Sequence, residues 1–274
     1  MKSVELNHPG KSAEVCACLS VIIPVYNEAE TLLEVVNQVV RVPHLLEVII
    51  VDDCSTDGTS DVISGIVQMY PQVVSERLAK NSGKTAAVRT GVALSSGQVV
   101  IVQDADREYD PAEIPAVISP ILEGRADVVY GSRFLVRRAT RVLYFYHYIA
   151  NKSLTFFSNL FTNLNMTDIE TGYKAFRGEF IRNMVIVSER FGFEVEVTAK
   201  VAKLKTAIYE VPISYYGRTY DEGKKIMMKD GLVAIWLIIR FNVLWGLRSS
   251  FRTLPMVGKE TGPQKRQRLP GGIN

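Results

Sequence analysis

Two carboxylates separated by one small residue follow a short apolar run near the middle of the chain. The run is Val99–Val102, and Asp104 and Asp106 follow it with Ala105 between them. Short apolar runs are typical of buried parallel strands, and open α/β sheets bind ligands beyond the carboxyl ends of such strands. Carboxylate oxygens there suit a hard divalent cation that also holds phosphates. Glu108 could reach the same cation. The alternatives are a polar strand end or a helix cap for the pair, and an exposed loop residue for Glu108.

Other acidic residues follow the first two predicted strands. Glu28 follows the strand at 19–25, and Asp52 and Asp53 follow the strand at 47–51. Alternating strands and helices at this spacing predict a parallel sheet with right-handed crossovers. The carboxyl ends of the strands, and therefore these acids, should meet at one edge. Clustered carboxylates repel one another unless a cation or a donor-rich ligand lies between them.

Basic residues that could bind phosphate occur in two places. Arg133 follows a predicted strand at 126–130, and a polar loop at 215–225 carries Arg218 and Lys224. Arginine forks match phosphate oxygens in two-point contacts, and long cationic loops often close over anionic substrates. A solvated basic loop and a surface hairpin are the alternatives.

The elements that must position these residues alternate between strand and helix. The fold class predicted is α/β, a mostly parallel sheet with helices on both faces. Asn27 is expected to cap the first helix, with Glu30 as its reciprocal partner. An aromatic-rich helix at 143–161 is predicted to form core, with part of its surface meeting lipid or a partner. Apolar spacing predicts strands at 19–25, 47–51, 73–77, 99–102, 126–130 and 207–211.

The C-terminal part is predicted to be an amphipathic helix at 226–250, after a catalytic domain at 19–225. Its tryptophans and the basic residues that follow favour a membrane-surface helix. The alternative is a helix docked on the catalytic domain or on a second subunit. No apolar run approaches the ~20 residues that a membrane span needs. The ends, 1–18 and 251–274, are predicted to be a flexible segment and a basic, disordered tail.

Composition excludes several classes of protein. The chain has 274 residues and a net charge of +3, too small to predict nucleic-acid binding. Three cysteines without metal-ligand spacing indicate a reduced, cytosolic setting. The chain lacks a GxGxxG fingerprint, a complete GxxxxGK[ST] loop and a GxSxG elbow.

Three motifs together give a specific resemblance. They are SVIIPVYNE at 20–28, VDDCSTDGT at 51–59 and DAD at 104–106. With them the chain resembles family-2 glycosyltransferases of the GT-A (Rossmann-like) fold. The stretches at 131–134, 168–177 and 218–224 make it look most like polyprenyl-phosphate (dolichyl-phosphate) mannosyl- and glucosyltransferases.

The resemblance implies a role for each matching residue. Asp104 and Asp106 would hold Mg²⁺ or Mn²⁺ and the donor diphosphate, while Glu108 stands where mannosyltransferases often carry a glutamine. Arg133, Arg218 and Lys224 would bind phosphates of donor and acceptor. The nucleotide-sugar site would comprise Pro24, Tyr26, Glu28, Val51, Asp53, Lys84, Gln103, Asp104, Ala105 and Asp106.

The reaction expected is metal-dependent transfer of a hexose from a GDP-mannose or UDP-glucose type donor to polyprenyl phosphate, with inversion implied by the resemblance. A lipid phosphate is already anionic, so it needs no strong general base. If the acceptor is instead a hydroxyl, Asp168 or Glu170 must take its proton. A non-catalytic sugar-nucleotide sensor is a third hypothesis.

The expected location is peripheral, at the cytosolic membrane face. Predicted catalytic residues are Asp104, Asp106, Arg133, Asp168 and Glu170.

Overall fold

The computed structural model describes residues 16–135, 144–190, 192–217 and 228–255. Within them, seven strands form one sheet in the order β3-β2-β1-β4-β6-β5-β7. All neighbouring pairs are parallel except those of β6, which runs antiparallel to β4 and β5. The mostly parallel α/β sheet is therefore confirmed. The strands are β1 (Leu19–Val25), β2 (Leu45–Asp52), β3 (Val73–Arg77), β4 (Val99–Val102), β5 (Val128–Ser132), β6 (Lys174–Arg177) and β7 (Ile208–Pro212).

Helices cover both faces of this sheet, because each face carries apolar side chains that must be buried. One core lies between the sheet and α1, α2 and α4. The other lies between the sheet and α3, α6, α7 and α8. The helices are α1 (Leu32–Val39), α2 (Thr59–Met69), α3 (Lys84–Leu94), α4 (Ile114–Leu122), α5 (Phe145–Thr162), α6 (Gly178–Asn183), α7 (Phe193–Leu204), α8 (Met228–Ile239) and α9 (Leu247–Ser250).

Two local features differ from the sequence prediction. The short strand β6 was not predicted, since it begins with Lys174 and its pairing depends on distant strands. The capping role predicted for Asn27 is wrong: α1 begins five residues later, after Thr31. Asn27 has a positive φ of 54°, and its side-chain oxygen accepts a hydrogen bond from the Thr56 N–H at 2.8 Å.

The C-terminal segment is helical but broken. A π-helical turn follows α8 at Arg240–Leu244, before α9. Leu237, Ile238 and Phe241 are buried in the same core as α7. In the part of the chain that the structure describes, no helix combines the length and the apolar character needed to cross a membrane. Arg218 and Lys224 lie outside the described residues, as do 1–15 of the predicted flexible segment at 1–18 and 256–274 of the predicted tail at 251–274.

Candidate active site

The carboxyl ends of three neighbouring parallel strands bring the predicted acids to one edge of the sheet. β1 lies between β2 and β4, with Val25 opposite Asp52 and Ile22 opposite Val102. Glu28, which follows β1, and Asp104, which follows β4, therefore extend from the same edge as Asp52. The parallel arrangement accounts for this gathering, since it aligns all three strand ends.

Two of these acids are satisfied by the protein itself. The Asp53 carboxylate accepts backbone N–H groups of Ser82 and Gly83, both at 2.7 Å. Asp52 pairs with Arg77 at 2.5 Å and accepts the Ser55 N–H at 2.9 Å. Both aspartates are almost fully buried. Asp52 therefore stabilises the turn at Ser55, and Asp53 stabilises the turn at Ser82 and Gly83. A nucleotide-binding role for Asp53 stays a prediction.

Asp104, Asp106 and Glu108 are half-buried and lie on the loop after β4. Asp104 contacts the Lys84 ammonium at 2.7 Å. Asp106 accepts the Glu108 N–H at 3.1 Å, and Glu108 accepts the Tyr215 hydroxyl at 2.9 Å. In the described part of the chain, no three His, Cys, Asp or Glu side chains form a ready metal site. Two carboxylates completed by substrate phosphates are nonetheless a donor set that Mg²⁺ uses, and the ammonium already on Asp104 shows that this position attracts a cation.

Gly172 allows a close approach to Asp104. A Cβ at this position would lie 2.5 Å from Asp104 Oδ2 and 3.0 Å from Tyr109 Cε2. The Gly172 N–H also donates to the Tyr109 hydroxyl at 2.9 Å. The chain after Asp168 therefore forms one wall of the site, and a side chain larger than that of glycine at position 172 would have to displace the Asp104 carboxylate.

Arg133 is held by Asp168 rather than projecting alone. Its Nε and Nη2 donate to the two Asp168 oxygens at 2.7 and 2.8 Å, and its backbone N–H donates to Asp168 Oδ2 at 3.1 Å. Its guanidinium also lies over the Tyr215 ring, 5.0 Å from the centroid. Burial alone would raise the pKa of Asp168, but the charge and hydrogen bonds of Arg133 outweigh burial and lower it. Asp168 is fully buried, so it orients Arg133.

Buried charges continue behind Asp104. Lys84 also contacts Glu194 at 3.3 Å. Burial raises the pKa of Glu170 to about 7, and the nearby Glu194 charge adds to the effect. Glu170 Oε1 is buried without a hydrogen-bond partner in the described structure. Lys174 is fully buried and donates to the Ile169 carbonyl at 2.9 Å. Of the two predicted bases, only Glu170 has an uncommitted oxygen.

The remaining predicted nucleotide-site residues occupy different environments. Pro24 and Val51 are buried, paired in register within β1 and β2. Tyr26 and Glu28 are half-buried just beyond β1. Gln103 is fully buried: its amide donates to the Asp104 carbonyl at 3.0 Å, and its oxygen accepts the Tyr173 hydroxyl. Ala105 is buried, and its carbonyl accepts the Thr31 hydroxyl at 2.9 Å.

Sequence reasoning missed three residues of this site. Glu194 and Tyr215 contact it from elements far along the chain, and Gly172 borders Asp104. A glycine two residues after a candidate acid was the one available signal. Nothing local marks Glu194 or Tyr215, because their roles depend on long-range contacts.

Comparisons with known proteins agree with the motifs. A family model described as "Glycosyl transferase family 2" matches residues 20–184. The undecaprenyl-phosphate mannosyltransferase of Micrococcus luteus is 31% identical over 242 residues, which cover 85% of this chain and 96% of that protein. The polyprenol monophosphomannose synthase of Mycolicibacterium smegmatis is 29% identical over 212 residues, covering 74% of this chain and 79% of that protein.

A solved structure supports the fold. It is the glucosyl-3-phosphoglycerate synthase from Mycobacterium tuberculosis in complex with Mn²⁺, uridine diphosphate and glucosyl-3-phosphoglycerate. The TM-score is 0.61 at 20% identity, and the match covers 87% of this chain and 86% of that chain. The resemblance drawn from the sequence motifs is confirmed by these matches.

Proposed function

The chain belongs to glycosyl transferase family 2, and we propose that it moves a hexose from a nucleoside-diphosphate sugar to a polyprenyl phosphate with the help of Mg²⁺ or Mn²⁺. As a glycosyltransferase it is an enzyme, so the sensor hypothesis is set aside. The observation that carries the proposal is the half-buried pair Asp104 and Asp106 at the sheet edge, with Gly172 against Asp104 and with Arg133 held by Asp168 at the start of the same segment. The names of the bacterial relatives support the acceptor class.

Each residue has a physical task in this proposal. Asp104 and Asp106 would hold the metal ion, which neutralises charge developing on the diphosphate leaving group when bound. Arg133 is kept in one orientation by Asp168 and by the Tyr215 ring. A fixed guanidinium can position a phosphate at little cost in conformational entropy. Lys84 adds a second positive charge next to Asp104.

A phosphate acceptor needs no protein base at neutral pH. The arrangement at Arg133 fits this requirement, because both Asp168 oxygens are occupied by its guanidinium. The attacking oxygen would already carry negative charge, and the cations would bring two mutually repelling phosphates together. Inversion at the anomeric carbon remains part of the proposal through the family resemblance.

One observation favours a second candidate, transfer to a hydroxyl. The pKa of Glu170 is raised to about 7 by burial, which suits a group that takes up a proton near neutral pH. The structural neighbour was crystallised with glucosyl-3-phosphoglycerate, which is not a polyprenyl phosphate. Under this alternative Glu170 would be the base.

We also propose a peripheral location on a membrane with anionic lipids, at its cytosolic face. α5 and α8 pack against each other and expose large apolar side chains on both helices, among them Phe156, Leu160 and Trp236. Lys152 on α5 and Arg240, the first residue of the π-helical turn after α8, are half-buried and supply positive charge. Interfacial helices combine these two properties, and a lipid acceptor has to be reached at a membrane.

Product analysis with defined acceptors tests the proposal. The enzyme is incubated with Mn²⁺, labelled GDP-mannose or UDP-glucose, and either polyprenyl phosphate or a dephosphorylated polyprenol. Lipid-extractable label from the phosphate acceptor alone is expected. Asp106→Asn should lower this rate at least 100-fold, while Glu170→Gln should leave it within about threefold. Absence of product with every donor would contradict the proposal. Label on the dephosphorylated polyprenol that is lost in Glu170→Gln, with nucleotide binding retained, would favour the hydroxyl acceptor.

A further inference from the structure

Lys84 is shared between a predicted metal ligand and a buried glutamate. Its ammonium lies 2.7 Å from Asp104 Oδ1 and 3.3 Å from Glu194 Oε1. All three side chains are largely buried, with 19% exposure for Lys84 and Asp104 and 8% for Glu194. At such exposure, charge interactions are much stronger than at a protein surface. The cation therefore has two competing partners within reach, only one of which is a candidate metal ligand.

Backbone contacts fix Lys84 and Glu194 relative to each other. The Thr85 N–H and hydroxyl both donate to the Arg190 carbonyl at 2.8 Å. The Thr85 hydroxyl in turn accepts the Phe193 N–H at 3.1 Å. Gly83 lies so close to Arg190 that an added Cβ would be 2.5 Å from its Cα. The N-termini of α3 and α7 are thus locked together, and the proximity of Lys84 to Glu194 is built into the fold.

The position of Lys84 between Asp104 and Glu194 determines the charge around the candidate metal ligand. Asp104 is opposed by Lys84, and removal of the Lys84 contact would leave Glu194 as a further negative charge beside it. The Lys84 ammonium, 2.7 Å from Asp104 Oδ1, therefore already occupies the position where the proposed function needs a divalent ion.

We propose that Glu194 is a positioning residue that accepts Lys84 when a divalent ion takes its place at Asp104. The ammonium and the ion carry like charges and cannot share Asp104 Oδ1. Glu194 gives the ammonium a second carboxylate within the same pocket, so Asp104 becomes available without leaving Lys84 buried and unpaired. This inference rests on the metal ion of the proposed function, and it assigns to α7 a role in metal binding through Lys84.

Mn²⁺ affinity without nucleotide tests the inference. Free Mn²⁺ is measured by electron paramagnetic resonance during titration of the full chain. Glu194→Gln is expected to weaken Mn²⁺ binding at least fivefold, because Lys84 then has Asp104 as its one remaining partner. Lys84→Met is expected to tighten binding, because the competing cation is gone. In the Lys84→Met background, Glu194→Gln should change the affinity less than twofold.

The double substitution separates this role from simple charge attraction. If Glu194 only attracts Mn²⁺ from a distance, Glu194→Gln weakens binding equally with and without Lys84, and the inference is overturned. Unchanged affinity in Glu194→Gln overturns it too. Glu179→Gln removes an exposed charge on α6 and should bind Mn²⁺ like the wild type.

A second variant keeps the test decisive should Lys84→Met fail to fold. Glu194→Asp retains the charge but shortens the side chain by one methylene, beyond contact with Lys84. Loss of affinity similar to that of Glu194→Gln supports the positioning role, whereas wild-type affinity refutes it. Failure of the wild type to bind Mn²⁺ without nucleotide would overturn this inference alone, because a metal ion held jointly with the donor diphosphate would still serve the proposed function.

Discussion

Gly172 shows how the absence of one carbon atom shapes the site. The residue borders both Asp104 and Tyr109, and a Cβ would overlap Asp104 Oδ2. We expect Gly172→Ala to displace the Asp104 carboxylate and to weaken Mn²⁺-dependent nucleotide-sugar binding at least tenfold, measured by calorimetry. The chain should remain folded, because the displaced group is a side chain at the site.

A matched control exists in α2. An added Cβ at Gly65 meets no atom within 4 Å, and glycine in a helix interior costs about 1 kcal/mol relative to alanine. Gly65→Ala should therefore leave binding unchanged and raise the unfolding temperature slightly. Equal binding in Gly172→Ala and the wild type would show that Asp104 tolerates the displacement or does not take part.

The raised pKa of Glu170 predicts that the free energy of unfolding depends on pH. Its pKa is raised to about 7 in the folded chain by burial, so the folded state binds this proton more tightly than the unfolded state. The resulting stabilisation is present at low pH and is lost as the pH rises from the unfolded value toward 7. Glu170→Gln should therefore be more stable relative to the wild type at pH 8 than at pH 4.5. The shift from 4.5 to about 7 corresponds to roughly 3 kcal/mol of stability lost by pH 8, so a relative gain of several degrees is expected there, at about 2–4 °C per kcal/mol in a chain of this size. Calorimetric scans that show the same difference at both pH values would contradict the shift.

At the scale of elements, the segment after β7 is tied to the loop after β4. The Tyr215 hydroxyl donates to Glu108 at 2.9 Å, and the Tyr216 N–H donates to the Glu108 carbonyl at 2.9 Å. The Tyr215 ring also packs on Tyr109 at 5.4 Å between centroids. Because the basic segment at 218–225 follows directly in sequence, the Tyr215 hydroxyl is one of three contacts that link the predicted metal-binding loop to the residues just before that segment.

We expect Tyr215→Phe to keep the ring packing and to remove only this link. The free energy of unfolding should fall by about 1 kcal/mol, as for one hydrogen bond. Glu108 would lose its orientation, so the rate with saturating acceptor should fall about three- to tenfold at limiting Mn²⁺ and recover at high Mn²⁺. Initial rates across a Mn²⁺ series measure this effect.

The neighbouring tyrosine provides the comparison. Tyr216 is exposed, and its backbone N–H rather than its ring contacts Glu108. Tyr216→Phe should keep the Mn²⁺ dependence of the wild type. A Tyr215→Phe enzyme with an unaltered Mn²⁺ series would mean that the hydroxyl has only a structural role.

At the scale of the whole molecule, α5 and α8 carry large exposed apolar side chains. The sequence left two alternatives for the C-terminal helix, a membrane-surface helix or a helix docked on the catalytic domain or on a second subunit. One side of α8 packs on the catalytic domain through Leu237 and Ile238. Leu232 and Trp236 remain exposed. Docking and surface exposure are thus properties of different faces of one helix.

Liposome co-sedimentation tests the proposed membrane location. Replacing Phe156, Leu160 and Trp236 together by serine should lower binding to vesicles containing phosphatidylglycerol at least tenfold, because about 25 cal/mol is lost per Å² of apolar surface no longer buried. Serine at Met69 and Leu94, which are exposed apolar residues on α2 and α3, should not change binding. Wild-type protein that stays in the supernatant, or a triple variant that binds normally, would contradict the membrane proposal.

The amino-acid sequence by itself determined the α/β class, six of the strands in the described sheet, and the gathering of Glu28, Asp52 and Asp104 at one edge. These features follow from apolar runs and from the geometry of parallel strands, both of which are local or nearly local. The family also followed from contiguous motifs, which the comparisons confirmed.

Only the tertiary structure decided which charges are available at the site. Asp53 faces two backbone N–H groups, Asp168 is paired with Arg133, and Lys84 lies between Asp104 and Glu194. β6, missed in the sequence, completes the sheet between β4 and β5. The physical reason is the same in each case: the energy of a buried charge or of an unpaired strand depends on partners tens of residues away, which no local pattern encodes.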